Sequence, residues 1–141
     1  MAEIRPFRGV RYNESKVGNL SEVICPPYDI ITPQMETELR NRSQYNFIHI
    51  EYGRQLPQDW ALDNKYIRSA AILEQWLKQD VLLTDETAAI YLHDHYFIHQ
   101  SREYRRRGLT VCTRLEEWHR MIVRPHEGTL AGPKSDRISL L

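Results

Sequence analysis

The strongest periodic signal runs from Leu62 to Gln79, where Tyr66, Ala70, Leu73 and Leu77 recur at helical spacing and Ile67 and Trp76 widen the stripe. It predicts an amphipathic helix that ends near Asp80 and packs those four side chains on a sheet. A second helix is predicted over Pro33–Arg42, because Thr32 is a good N-cap, Pro33 suits the first helical position, and Met35 and Leu39 share one face. Strand patterns are shorter. Ile4–Tyr12 alternates partly and, with Pro6 near its start, reads as an edge strand. Phe47–Ile50 is a strand candidate of alternating sides. Ala88–His99 and Leu109–Leu115 are rich in branched and aromatic residues and predict an antiparallel pair, joined by a charged loop over Gln100–Gly108. Glu116–Trp118 suggests a helical turn and Met121–Val123 a last short strand. The fold class expected is α/β or α+β, a mixed and largely antiparallel sheet with two main helices.

Composition narrows the class. The 141 residues suit one domain or slightly more, and 41% hydrophobic with 27% charged residues is ordinary for a globular chain. Lys plus Arg and Asp plus Glu both number 19, a balance that argues against a dedicated nucleic-acid binder. Cys25 and Cys112 are far apart and in no CxxC pattern, so they indicate neither a disulfide framework nor a zinc ribbon, and small buried thiols are expected. No apolar run approaches the ~18 residues of a membrane span, and the N-terminal residues show no signal-peptide pattern. The expected location is cytoplasmic.

Three segments belong together: Arg5-Pro6-Phe7-Arg8-Gly9-Val10-Arg11-Tyr12, Pro26-Pro27-Tyr28-Asp29-Ile30-Ile31, and His126-Glu127-Gly128-Thr129-Leu130-Ala131-Gly132-Pro133-Lys134-Ser135-Asp136-Arg137. In this order the chain resembles a large prokaryotic family catalogued as domain of unknown function 1015, over essentially its whole length. The resemblance implies membership and no particular chemistry. It also implies proteins longer than this chain by more than a further domain. Residues 1–141 are therefore expected to be one N-terminal domain or a fragment, with 124–141 opening a segment that continues. A helix starting near Ser135 would be short, and Leu140-Leu141 supply no cap.

Candidate chemistry concentrates in Arg124–Arg137. Lys134 and Arg137 suit an anion, Gly132 with Gly128 allows backbone N–H groups to converge on it, and His126 with Glu127 are the candidate general acid and base. The plainer reading is a polar loop that caps a helix. Tyr28 and Asp29, stiffened by Pro26-Pro27, are candidate pocket residues, although Asp29 and Thr32 also serve simply to start the next helix. His93, His95 and His99 share one strand face, but a His-x-His pair alone is weak metal evidence, and no metal is assigned. Arg102-Glu103-Tyr104-Arg105-Arg106-Arg107 reads as a solvated hairpin tip, with nucleic-acid contact the lesser alternative. The functional expectation is a module that contributes to a phosphate- or small-molecule-binding site. The alternatives are a non-catalytic scaffold or interaction domain, and nucleic-acid contact through 102–107. Partners expected are the remainder of a longer chain and a second copy in a homo-oligomer; no reaction, substrate or cofactor is specified.

Overall fold

The computed structural model describes residues 1–124 and 131–140, and within 131–135 the backbone only. In chain order the elements are β1 (Ile4–Arg5), β2 (Val10–Tyr12), α1 (Glu14–Val17), α2 (Pro33–Arg42), α3 (Ile48–Glu51), α4 (Lys65–Lys78), β3 (Leu82–Thr84), β4 (Tyr91–His99), β5 (Arg102–Thr110), β6 (Cys112–Thr113) and α5 (Ala131–Leu140). Single 3-10 turns cover Leu20–Glu22, Tyr28–Ile30 and Trp118–Arg120. The strands form three two-stranded ladders, β1–β6, β2–β3 and β4–β5, so the fold is mixed helix and antiparallel strand with no large sheet among the described residues. No helix among the described residues is long and apolar enough to cross a membrane.

The chain divides into two compact units, Met1–Val10 with Thr84–Gly128, and Arg11–Leu83 with Thr129–Leu141. In the first unit, Tyr91 is the organising side chain. Its hydroxyl accepts the Gly9 N–H at 2.7 Å and lies 2.7 Å from an Asp85 carboxylate oxygen, and its ring meets Phe7 at 5.0 Å. The expected Ile4–Tyr12 strand breaks into β1 and β2, with Phe7 bridging to Ala89 between them. The predicted charged loop 100–108 is instead strand: β4 and β5 pair continuously from Tyr91↔Thr110 to His99↔Arg102. Only Gln100 and Ser101 turn, both with positive φ. The strand passes for a loop in the sequence because both its faces are largely exposed, so no apolar alternation marks it. Met121–Val123 forms no strand; Met121 has φ 50° and closes the Trp118–Arg120 turn.

The second unit carries the core. Ile50, Trp76, Val81 and Leu82 form one buried cluster, with Tyr12, Tyr45 and Ile72 against it; Ile31, Leu39 and Ile48 form another. Phe47–Ile50, expected as strand, is the start of helix α3. Buried Asn46 explains the change: its amide donates to the Glu22 and Ile24 carbonyls at 2.8 and 3.0 Å, while its side-chain oxygen accepts the Ile48 N–H at 3.0 Å. That bonding turns the backbone at 46–48. The helical path then sends Ile48 and Ile50 into different clusters, whereas a strand would place both on one face.

Helix α4 starts three residues after the expected Leu62, because Asn64 accepts from the Tyr66 and Ile67 N–H groups and acts as N-cap. It ends at Gln79, followed by Asp80 at φ 58°. Its inward face is offset from the predicted stripe. Ser69 and Trp76 are buried, while Ala70 and Leu73 are exposed and Tyr66 and Leu77 are half-buried. Close approach to Gly53 accounts for this: a Cβ there would lie 2.7 Å from both the Lys65 carbonyl and Ser69 Oγ. Small Ser69, not a large apolar residue, fits that contact. Helix α4 packs on α3, and its Trp76 meets Tyr12 of β2 and Leu82 of β3, so the strands it covers are those of the β2–β3 ladder.

Candidate functional site

Within the second unit, a cavity of about 620 Å³ is walled by the Tyr28 turn, α2, the end of α3 with Tyr52, Gly53 and Arg54, the first turn of α4, and α5. The local sequence explains why these walls carry polar groups. Pro26-Pro27 hold the chain extended before the Tyr28–Ile30 turn, whose first residue faces the cavity. Asn64 fixes the start of α4, which sets Lys65 and Tyr66 at the helix mouth. The segment after α3 contributes the glycine that lets α4 come close.

Asp136 and Arg137 of α5 tie the walls together. Asp136 Oδ1 accepts from Lys65 Nζ at 2.7 Å and from the Tyr66 hydroxyl at 2.9 Å, and its other oxygen accepts from Arg137. Arg137 donates to a Glu51 carboxylate oxygen at 2.8 Å and to the Glu51 carbonyl at 3.2 Å. Its guanidinium carbon lies 3.7 Å from the centre of the Tyr28 ring, a cation–π stack. Partial burial works to raise the Asp136 carboxyl, but the hydrogen bonds from Lys65, Arg137 and Tyr66 outweigh it and bring its pKa down to about 2. Burial likewise works against charge on Lys65 and Arg137, and their carboxylate partners more than restore it, so both stay raised. Across the cavity Glu36 is held by Arg40 at 2.7 Å. Arg54 gives its carbonyl to Arg68 at 2.9 Å, while its own guanidinium has no ion-pair partner among the described residues.

Of the residues singled out from sequence, Tyr28 and Arg137 meet in this cavity. Asp29 is exposed and lies outside its wall. His126, Glu127, Gly128 and Leu141 lie outside the described residues, as do the side chains of Lys134 and Ser135. The backbone carrying Gly132 is not loop but the first turn of α5, which begins at Ala131, ahead of the expected Ser135; Pro133 is tolerated there because first-turn N–H groups have no helical acceptor. Glu51, Lys65 and Tyr66 carry no site role in the sequence reading, and Asp136 enters it only as part of the Arg124–Arg137 segment. One signal was available for Lys65: a cation in the first turn of a helix opposes the helix dipole, so something else must hold it.

The histidine strand gives a different picture. His93 and His95 lie with ring centres 5.0 Å apart, and His95 Nδ1 is 3.0 Å from the Arg106 guanidinium. Asp94 is on the opposite face, clamped by Arg107 at 2.8 and 2.9 Å. Among the described residues no three His, Cys, Asp or Glu side chains converge as a metal ligand set. The arginines of β5 alternate, Arg105 and Arg107 on one face, Arg102 and Arg106 on the other. Cys25 is half-buried, and burial with nearby Glu51 pushes its thiol up to about 11, which suppresses the thiolate. Cys112, expected to be buried, is exposed on the two-residue strand β6.

Neither curated proteins nor solved structures give a match to this chain. Residues 4–141 match the family described as "Protein of unknown function (DUF1015)", so the chain belongs to that family.

Proposed function

We propose that the chain is a ligand-binding module of a cytoplasmic protein, and that a small polar or phosphorylated molecule occupies the cavity walled by α2, α3, α4 and α5. The observation that carries this reading is the convergence of Tyr28, Glu51, Lys65, Tyr66, Asp136 and Arg137 on one concave space. Its size, about 620 Å³, lies within the ~300–1,000 Å³ range of small-molecule sites. Side chains locked by several bonds each are also what a preorganised site requires. No reaction is assigned.

A thermal-shift screen of phosphate, nucleotides, sugar phosphates and amino acids tests the reading. Binding should raise the melting temperature, and Lys65→Gln should reduce the rise. Lys134→Ala separates the contribution of the cation predicted from sequence. Added salt should weaken any ionic part of the binding, since the screening length is ~8 Å at physiological strength. Absence of a shift across the screen would remove the reading.

A non-catalytic interaction role has its own support. Leu92, Tyr96 and Ile98 are exposed along one face of β4, and an isolated two-stranded hairpin is marginal in water. Self-association through this face predicts that Ile98→Glu lowers the mass measured by light scattering. A wild-type protein that is monomeric at high concentration would exclude it.

A further inference from the structure

The charges that wall the cavity do not all have the same freedom. Its carboxylates are Glu36, Glu51 and Asp136, and its cations are Arg54, Lys65 and Arg137. Formally these balance. Lys65 is committed to Asp136, and Arg137 to Glu51 and Asp136. Glu36 is neutralised from outside the wall by Arg40, which also donates to the Tyr52 carbonyl at 2.6 Å. Arg54 is left over. Among the described residues it is the cavity cation whose guanidinium has no carboxylate, and it is exposed, next to Gly53 in the wall.

The distinction matters for recognition. An anion reaching Lys65 or Arg137 must compete with a carboxylate already in place, and displacing it leaves that carboxylate unpaired in a partly buried setting. An anion reaching Arg54 competes with no carboxylate among the described residues. A guanidinium offers a planar fork that matches an oxyanion with two parallel hydrogen bonds. From the geometry we infer that Arg54 is the specificity residue of this cavity, binding the oxyanion group, phosphate or carboxylate, of a ligand whose uncharged polar part rests against the Asp136–Lys65–Tyr66 wall. This deepens the reading above and rests on it.

The division of labour is specific. The Arg54 end should discriminate by charge and the Asp136 end by hydroxyl and amine pattern. Tyr66 and Asp136 are already bonded to each other, so a ligand hydroxyl there joins an existing network instead of building one.

The test uses the whole chain and two pairs of probes, ribose 5-phosphate against ribose and succinate against succinamide, with binding followed by calorimetric titration. Arg54→Gln, Arg54→Lys and Lys65→Gln are compared with wild type, and circular dichroism checks that each variant is folded. The expected result is that the charged member of at least one pair binds. Its affinity should fall by about 10-fold or more in Arg54→Gln, as loss of a charge-assisted bidentate contact implies, and recover partly in Arg54→Lys. A phosphate-only response identifies phosphate as the oxyanion, and a succinate-only response identifies carboxylate. Charged probes that bind Arg54→Gln as well as wild type, yet weakly to Lys65→Gln, would overturn the role of Arg54 while leaving the cavity reading intact. Uncharged probes binding as well as charged ones would do the same. If no probe binds wild type, both the cavity reading and the assignment to Arg54 fail together.

Discussion

Single residues decide where the second unit can bend and how closely it packs. Gly53 is one: its missing Cβ lets the Lys65 carbonyl and Ser69 Oγ approach a position where any side chain would collide. Gly53→Ala should therefore push α4 off α3 and destabilise the protein by about 1–3 kcal/mol, read by chemical denaturation. A change smaller than a few tenths would show that the helices part without cost. His49 is a second such residue. Burial lowers its pKa, and the Arg40 guanidinium at 3.2 Å and the nearby Arg54 lower it further, against a smaller opposing effect of the Ser43 backbone. The folded protein thus prefers the neutral ring, while the unfolded chain protonates near the ordinary ~6.5. Stability is full above that value and declines as pH falls through it towards the lower folded value. The melting temperature should drop between about pH 7.5 and about pH 5.5, either side of that ordinary value, and His49→Gln should flatten the drop. An unchanged slope would remove His49 as its source. Neither residue's role was legible in the sequence. A lone glycine or histidine shows its role only when the packed neighbour, here α4 or Arg40, is known.

At the scale of elements, local signals were readable where a side chain acts on its own backbone. Thr32 and Pro33 predict α2, and the Thr32 hydroxyl does accept the Met35 N–H, at 3.2 Å. The long periodic stretch predicts α4, though its buried stripe is rotated because a polar Ser69 occupies the tightest contact. Sequence and structure part where a distant group decides. Phe47–Ile50 is helical through Asn46 bonding to carbonyls more than twenty residues away. Strand β5 pairs despite its four arginines because β4 supplies the ladder and Asp94 answers Arg107. The turn of that hairpin sets a testable cost. Gln100 and Ser101 stand at φ 49° and 60°, the left-handed conformation that two-residue hairpin turns require and that Asn-Gly adopts more readily. Replacing Gln100-Ser101 with Asn-Gly should stabilise the hairpin by about 1 kcal/mol. Slower amide hydrogen exchange in β4 and β5 would register this, and unchanged protection would mean that the native turn is unstrained.

Over the whole molecule, α5 is held to its unit by residues some seventy positions earlier in the chain. Two segments recognised in the sequence for their family resemblance, around Tyr28 and around Asp136-Arg137, meet through the Arg137–Tyr28 stack. The sequence suggested that both mattered but could not indicate that they touch, because periodicity speaks only to neighbours a few residues away. Asp136 is the tie with the clearest signature. It takes bonds from Lys65, Tyr66 and Arg137, and its side chain is only 24% exposed. Asp136→Asn keeps the shape and removes the charge, so it should cost about 1–2 kcal/mol near neutral pH, where hydrogen bonds to a charged group contribute ~1.5–3 before allowance for partial exposure. The sign of the pH dependence follows from the depressed pKa. The carboxylate's contribution is complete above the ordinary unfolded value of ~3.9 and is lost as pH falls from there through about 2, where the folded protein also takes up the proton. The stability gap between wild type and Asp136→Asn should therefore stay constant from about pH 8 to about pH 5, narrow below about pH 4, and close near pH 2. Urea titrations across that range measure it directly. A gap that persists undiminished at the acid end would mean that the substitution disturbs packing and that the ionic tie contributes little. A gap absent near neutrality would mean that α5 is held by other contacts, such as the Arg137 stack on Tyr28.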